Sequence, residues 1–310
     1  MAGTLYVLTG PSAVGKTEWS LRWAEQQGAD AIILSCDSLL VYRGMDIGTA
    51  KPTAEELSRV KHRGINLCDP SEQYSIHSYV QYAREVVEET LGSGRSLLVS
   101  GGSGFYLKSF FSPVIDTVEV PPRIAESVRQ LYREQDIDAV LARLKAVSPS
   151  GLGNLDIRNP RRVIRALERC IASGKELPVL QEEFSRQPIP FAEFTKKVCI
   201  LERSKESLKI RIRERVDQML KAGLIEEVSS LKEVGIENNP SAAGAIGYRE
   251  TLAFLESESR DEEELARAIS ANTYGLVKKQ RAWFRGQIPV DRMIDLDEVD
   301  GLSPEDFFQD

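Results

Sequence analysis

The sequence predicts an α/β fold in which a parallel sheet is flanked by helices and interrupted by a helical insertion. Three observations lead to this prediction. Short apolar runs rich in β-forming residues alternate with helical spacing in the first third of the chain. A glycine-rich loop joins the first apolar run to the first helix. After a proline-rich segment near residue 113, helical patterns follow one another until a strand-like run returns at residue 196.

These patterns give the individual elements in order. Strands are predicted for the apolar runs TLYVLT (4–9), AIILS (31–35), SLLVS (96–100) and KKVCILE (196–202). Helices outside the insertion are predicted over 17–27, 77–91, 204–221, 224–234, 247–256 and 261–285. Inside it, helices are predicted over 123–135, 137–147 and 161–173, and KELPVLQEEFSRQPIPF is predicted to lead back to the sheet. The predicted domains are a core of residues 1–115 and 191–310 and an insertion of residues 116–190.

Composition and charge narrow the class of protein. The net charge of −7 by itself disfavours a nucleic-acid partner, but basic residues concentrate in RNPRRVIRALER, RSKESLKIRIRER and KKQRAWFR. Four cysteines without a C-x-x-C pair and only two histidines argue against a zinc site or a disulfide framework. The sequence shows neither a signal-peptide pattern nor an apolar run of membrane length, so we expect a cytoplasmic, monomeric protein without a membrane partner.

The segment GPSAVGKT matches G-x-x-x-x-G-K-[ST], the phosphate loop (P-loop) of ATP- and nucleotide-binding proteins. Its glycines let the backbone approach a phosphate, and the following helix offers its positive N-terminal end. Lys16 is expected to reach phosphate oxygens and the Thr17 hydroxyl to hold Mg²⁺. The predicted fold is therefore P-loop NTPase-like, with a phosphate site made by Gly10, Pro11, Ser12, Ala13, Val14, Gly15, Lys16 and Thr17. The loop alone leaves open whether a nucleotide or another diphosphate binds.

Two further segments follow predicted strands. Asp37 comes directly after the second strand, at the sheet edge where open parallel sheets bind ligands. Its carboxylate can serve as a water-mediated Mg²⁺ ligand, as a general base, or only as the cap of a turn. The GMDIGTAKP loop that follows is irregular and partly apolar, so it can line an apolar pocket beside the diphosphate. After the strand SLLVS, the glycines of GGSG allow close backbone approach and Ser103 supplies a hydroxyl.

The segments GPSAVGKT, DSLLVYRGMDIGTAKP, GGSGFYLK, NPRRVIRALE, AIGYRE and KKQRAWFRG together resemble, in order and approximate spacing, the bacterial tRNA dimethylallyltransferases (tRNA isopentenyltransferases). The resemblance extends from about residue 4 to about residue 288. It implies that a dimethylallyl group passes from dimethylallyl diphosphate to the exocyclic N6 amine of the adenosine 3′ of the anticodon, at tRNA position 37. The P-loop and Mg²⁺ would hold the diphosphate leaving group instead of ATP.

The resemblance also implies roles for particular residues. Asp37 would be the general base, and Ser103 and Arg211 would be further catalytic residues. Contacts with the tRNA anticodon stem-loop are implied for Asp37, Ser38, Leu39, Leu40, Arg129, Arg161, Arg162, Val163, Ile164, Arg165, Gly247, Tyr248 and Arg249. The chain departs from the family pattern at four positions: Ser103 stands for Thr, Asn159 for Asp, and Tyr274 and Gly275 for Arg and Gln. Ser103 keeps the hydroxyl, whereas the loss of the arginine at 274 removes one basic contact.

A stripe of arginines is predicted on one helix of the insertion. Its members, spaced i, i+4, i+7 and i+11, are Arg158, Arg162, Arg165 and Arg169. On this helix, the residues predicted to face the core are Val163, Ile164, Leu167 and Ile171. Near the end of the last long helix, Trp283 and Phe284 are also predicted to be core residues. A solvated face explains a basic stripe as well as a phosphate backbone does, and the resemblance favours tRNA.

Three other functions fit part of the pattern. An adenylate prenyltransferase would use the same donor, but a small acceptor does not require a basic insertion. An ATP-dependent kinase would explain the P-loop and Asp37, but not the GMDIGTAKP loop or the arginine stripe. A non-catalytic nucleic-acid-binding module would require neither Asp37 nor the P-loop.

Overall fold

The computed structural model describes residues 3–28, 30–258, 260–298 and 301–309. Two compact units make up this part of the chain. Ser112–Ile189 forms one unit, and the segments that end at Phe111 and begin at Pro190 together form the other. The predicted insertion of residues 116–190 overlaps the first of these units along almost its whole length.

The larger unit is built on a parallel sheet. Its strands within the described residues are β1 (Thr4–Thr9), β2 (Ile32–Ser35), β3 (Lys61–Arg63), β4 (Leu97–Gly101), β5 (Thr195–Glu202) and β6 (Arg292–Asp295). They lie in the order β3-β2-β4-β1-β5-β6, and every neighbouring pair is parallel. The four predicted strands are confirmed. The two edge strands β3 and β6 were not predicted, because KHR is short and polar and RMID contains only two apolar residues.

The helices lie around this sheet and in the smaller unit. In chain order they are α1 (Lys16–Gln27), α2 (Ala54–Arg59), α3 (Ile76–Gly92), α4 (Gly104–Lys108), α5 (Pro122–Val147), α6 (Pro160–Ser173), α7 (Leu177–Ser185), α8 (Lys205–Lys221), α9 (Leu224–Glu233), α10 (Pro240–Ala243), α11 (Tyr248–Glu256) and α12 (Glu262–Gln287). Helices α5–α7 belong to the smaller unit. Strand β1 buries Leu5 and Val7 in one apolar cluster and Leu8 in another, as expected when helices cover both faces of a sheet. None of the described helices is long and apolar enough to cross a bilayer.

The strand order brings the loops after β1, β2 and β4 to one edge of the sheet. The P-loop follows β1, Asp37 follows β2, and the GGSG segment follows β4. The backbones of the last two segments are in contact: Ser103 N donates to Cys36 O at 3.2 Å, and a Cβ on Gly101 would lie 2.1 Å from that same oxygen. Glycine is required at 101 because a side chain would separate these loops.

The smaller unit contains the predicted helices and one that was not predicted. Asp136, at φ 65°, breaks α5 between the two segments predicted separately. Asn159 caps α6 by accepting the Arg162 N–H, so Asn serves where the family has Asp. The prediction for residues 175–191 was incomplete, because this segment contains α7. Pro178 in the first turn is compatible with a helix, since that position needs no N–H donor.

Candidate active site

Gly10, Ala13 and Gly15 of the P-loop have positive φ angles. Gly15 (φ 111°) allows α1 to begin at Lys16, whereas Ala13 (φ 65°) adopts a conformation that is uncommon for residues other than glycine. Lys16 Nζ donates to Gly10 O at 2.8 Å and to Pro11 O at 2.9 Å, so the ammonium lies against the loop. Burial lowers the pKa of Lys16 to about 8, against the opposing effect of the nearby Asp37 carboxylate.

Arginines from β5 onward surround the loop. Arg203 Nε donates to Val14 O at 3.0 Å, and Arg211 Nε donates to Ala13 O at 2.8 Å. One turn further along α8, Arg215 Nη2 donates to Thr49 O at 3.1 Å. Burial lowers the pKa of Arg215, the neighbouring Asp37 raises it, and Arg211 lowers it. Arg215 was not predicted; the same basic segment contains Arg211 and Arg215, and only the fold shows that both line one cavity with Asp37.

Asp37 and Ser103 lie on facing loops. Asp37 Oδ1 accepts the Leu39 N–H at 2.9 Å, which is the turn-capping role considered above. No hydrogen bond reaches Oδ2 from the described residues, so this oxygen is available to a ligand. Ser103 Oγ accepts the Ser38 N–H at 2.9 Å and lies 3.2 Å from Ser38 Oγ. Ser103 therefore fixes the loop that carries Asp37.

Two cavities meet at these residues. One, of about 590 Å³, contains Lys16, Thr17 and Arg211; the other, of about 620 Å³, is more apolar and contains Ile212 and Trp283. The wall common to both consists of Ser12, Ala13, Asp37, Thr49, Gly102, Arg215 and Gln280. A molecule with a charged head and an apolar tail fits this arrangement, with its head in the cavity that contains the P-loop residues.

Gln280 is a site residue that the sequence did not single out. Its Oε1 accepts the Ser12 N–H at 2.9 Å, and its Nε2 donates to Gly102 O at 3.0 Å. One side chain from α12 thus joins the loops after β1 and β4. KKQRAWFR indicated a basic segment, but Gln280 and Ser12 are 268 positions apart and no local pattern relates them.

The polar cavity suits a metal that takes most of its ligands from phosphate and water. Thr17 and Asp37 both line it. The described residues contain no group of three or more His, Cys, Asp or Glu side chains placed to hold a metal. Mg²⁺ is usually bound by one or two protein oxygens together with substrate phosphates and water, so this donor set fits Mg²⁺.

The other residues expected to contact tRNA in the larger unit lie at different depths. Ser38 and Leu39 line the apolar cavity with Gly247, and Leu40 lines the polar one. Tyr248 is fully buried, and Arg249 is exposed and paired with Glu250. Phe284 is buried as predicted, whereas Trp283 is only half-buried. The Tyr274 ring contacts the amines of Lys209 and Lys278. Basic side chains therefore remain near the position where the family has arginine.

In the smaller unit the arginine stripe is shorter than predicted. Arg161, Arg162 and Arg165 are exposed on α6, whereas Arg169 pairs with Asp116 at 2.6 Å and is largely buried. Arg158 precedes the helix. The three exposed arginines and Arg169 line a groove of about 360 Å³.

The apolar side of α6 also differs from the prediction at one position. Val163 and Leu167 are fully buried and Ile164 is half-buried, but Ile171 is exposed instead of facing the core. Arg129 lies on α5, exposed and near Glu126. The tRNA contacts predicted for Arg129, Val163 and Ile164 stay predictions. Because the Val163 side chain is fully buried, it can support the α6 arginines but cannot itself reach a ligand.

Comparisons with known proteins agree with this geometry. A family model described as IPP transferase matches residues 40–287. The chain is 52% identical to a tRNA dimethylallyltransferase of Opitutus terrae, covering 94% of this chain and 92% of that protein. It is 34% identical to the tRNA dimethylallyltransferase of Deinococcus radiodurans, with 91% and 90% covered.

Two solved structures share the fold. One is a tRNA delta(2)-isopentenylpyrophosphate transferase from Staphylococcus epidermidis, with a TM-score of 0.66, 26% identity, and 96% and 94% of the two chains covered. The other is a eukaryotic dimethylallyltransferase acting on tRNA, with a TM-score of 0.82 and 25% identity over 98% of this chain and 77% of that one. The predicted P-loop NTPase-like fold is confirmed.

Proposed function

Because the chain belongs to the IPP transferase family of tRNA-modifying prenyltransferases, we propose that it transfers a dimethylallyl group from dimethylallyl diphosphate to the N6 amine of adenosine at position 37 of tRNA. The products are N6-isopentenyladenosine and diphosphate. The observation that carries this proposal is the wall shared by a polar and an apolar cavity, with Asp37 and Arg215 in it. We also propose that the enzyme is monomeric and cytoplasmic.

The diphosphate end of the donor binds in the polar cavity. Lys16, the backbone amides of the P-loop and the positive end of α1 face the departing oxygens. Arg211 and Arg215 line the same cavity and add positive charge there, and Ser103 holds the Asp37 loop in place. Thr17, with Asp37 nearby, would hold Mg²⁺, which when bound neutralises charge that accumulates on the leaving diphosphate. The dimethylallyl group extends into the apolar cavity.

Asp37 acts on the acceptor. The exocyclic amine of adenosine is weakly basic and loses a proton as its nitrogen bonds to the allylic carbon. The Asp37 oxygen that receives no hydrogen bond from the described residues accepts this proton, while Oδ1 stays fixed by Leu39 N–H. To reach this position the adenosine leaves its stack in the anticodon loop.

The function is tested by incubating the protein with Mg²⁺, radiolabelled dimethylallyl diphosphate and an unmodified anticodon stem-loop. We expect label in the RNA, and none when the target adenosine is replaced by guanosine. Label in free AMP but not in RNA would establish the adenylate prenyltransferase instead. Phosphate transfer from ATP, without prenyl transfer, would establish the kinase.

Exposed arginines of α6 are proposed to bind the tRNA backbone. We expect the double substitution Arg162→Ala and Arg165→Ala to weaken stem-loop binding and to reduce the slope of log affinity against log salt by about 1.4–1.8, because each phosphate contact contributes about 0.7–0.9. Fluorescence anisotropy across a salt series measures both quantities.

The matched control removes Arg133 and Arg186, two exposed arginines of the same unit. This control changes the net charge equally and should leave the slope near that of the unchanged protein. Equal slopes in the two double variants would show that the α6 arginines form only a solvated face.

A further inference from the structure

The irregular loop Met45–Ala50 contributes to both cavities. Gly48 and Thr49 line the apolar cavity, and Thr49 and Ala50 line the polar one. The second half of the loop is closed by its own bonds: Thr49 Oγ1 donates to Met45 O at 2.7 Å, and Ala50 N donates to Ile47 O at 2.9 Å. The N–H groups of residues 46–48 have no acceptor within the loop, so an acceptor outside it must hold them.

Glu227 supplies that orientation from helix α9. Its Oε2 accepts the N–H groups of Asp46 at 3.0 Å and Ile47 at 2.7 Å. Its Oε1 accepts the N–H of Gly48 at 3.1 Å and the hydroxyl of Tyr248 at 2.7 Å. One carboxylate thus receives four hydrogen bonds, three of them from consecutive backbone amides, and charge-assisted bonds of this kind are about twice as strong as neutral ones.

Tyr248 adds a steric limit on the same side. A Cβ on Gly48 would lie 2.6 Å from two ring carbons of Tyr248, so the loop backbone lies directly on the ring. On the other side of the loop, Arg215 Nη2 donates to Thr49 O. Contacts therefore run without interruption from Glu227 through the loop to Arg215, whose charge acts on Asp37.

We propose that Glu227, assisted by Tyr248, is a positioning residue of the prenyl transfer reaction: it binds the amides of the 45–50 loop and so fixes the common wall of the two cavities and the place of Arg215. The expected effect on kcat rests on the proposed function, whereas the role of Glu227 in holding the loop does not. It also gives Tyr248, expected to contact tRNA, a role within the protein.

The test compares Glu227→Gln with Glu226→Gln. Glutamine keeps the shape but presents an NH₂ group to N–H donors, so two of the four bonds are lost. The neighbouring Glu226 is exposed on the same helix and makes no side-chain hydrogen bond with the described residues. Tyr248→Phe, which removes a single hydroxyl, is the milder second variant in case Glu227→Gln does not fold.

We expect Glu227→Gln to lower kcat about ten- to a hundredfold, because hydrogen bonds to a charged group are lost. Affinity for inorganic diphosphate with Mg²⁺ should fall by a smaller factor than kcat, since the P-loop is unchanged and, of Lys16, Arg211 and Arg215, only Arg215 is bonded to the 45–50 loop. Amide hydrogen exchange should accelerate at 46–48 and remain unchanged in α9. Tyr248→Phe should show the same pattern to a smaller extent, and Glu226→Gln should show none of it.

Two results would overturn the proposal. One is unchanged exchange at 46–48 in folded Glu227→Gln, which would show that the carboxylate does not hold the loop. The other is accelerated exchange there with kcat within about threefold of the unchanged protein, which would show that the loop position does not matter for turnover. Because exchange and diphosphate binding need no prenyl transfer, a failure of the proposed function would appear separately, as absence of product in the unchanged protein.

Discussion

Asp37→Asn is expected to reduce kcat by about 10²–10⁴, the usual contribution of a general base, while the affinity for dimethylallyl diphosphate stays near that of the unchanged protein. Asparagine retains an oxygen that can accept the Leu39 N–H, so the turn is preserved. What it lacks is a basic oxygen toward the acceptor amine. Single-turnover transfer to the stem-loop, measured with saturating donor, reports the chemical step directly.

The control for this experiment is Asp69→Asn, because Asp69 is an exposed carboxylate that pairs with Arg43 away from the cavities. It should leave kcat unaltered. If Asp37→Asn lost only a few-fold in kcat, the carboxylate would be confined to its turn-capping role. If it lost donor affinity instead of kcat, the carboxylate would belong to the metal site.

Lys16→Ala is expected to reduce kcat/KM by about 10²–10³, the cost of removing one preorganised donor from a charge-stabilising site. The Lys16 ammonium lies against the P-loop backbone, where it would bind the departing diphosphate oxygens. Both ground-state binding and turnover should therefore suffer. Isothermal titration with inorganic diphosphate and Mg²⁺ separates the first effect from the second.

The pH dependence of diphosphate binding provides the accompanying check. Only the protonated Lys16 attracts an anion, and the pKa of this group in the free protein is lowered to about 8 by burial. Affinity should therefore be highest below pH 8 and should fall as the pH rises through that value. Lys16→Ala should not show this fall, and an equal fall in both proteins would assign the titration to another group.

Sequence patterns predicted the parts of the site that depend on neighbours in the chain. The P-loop is recognisable because glycines, Lys16 and Thr17 occupy fixed positions between a strand and a helix. Asp37 and Ser103 are recognisable because each follows an apolar strand, and parallel strands deliver their following loops to one edge of the sheet. These elements lie within one or two residues of their predicted bounds.

The remaining parts depend on pairs that are far apart in sequence. The role of Gln280 depends on its bond to Ser12, and the role of Glu227 depends on its bonds to the 46–48 amides. Arg169 is not part of the exposed basic face because it pairs with Asp116. A helical periodicity indicates which face a residue occupies, but not which partner covers that face. The edge strands were missed for a related reason, since their pairing is imposed by β2 and β5 and not by their own residues.

The strand order has a consequence for how the chain folds as it is made. Strand β1 lies between β4 and β5, and β5 is separated from it in sequence by the whole of the smaller unit. During translation, one edge of β1 thus stays without its partner until the ribosome has passed residue 202, and Gln280 joins the two glycine loops later still. The smaller unit is complete by residue 189 and can fold first. A nascent chain would therefore carry a folded basic surface and an unpaired sheet edge, the feature most prone to aggregation, before the catalytic pocket exists.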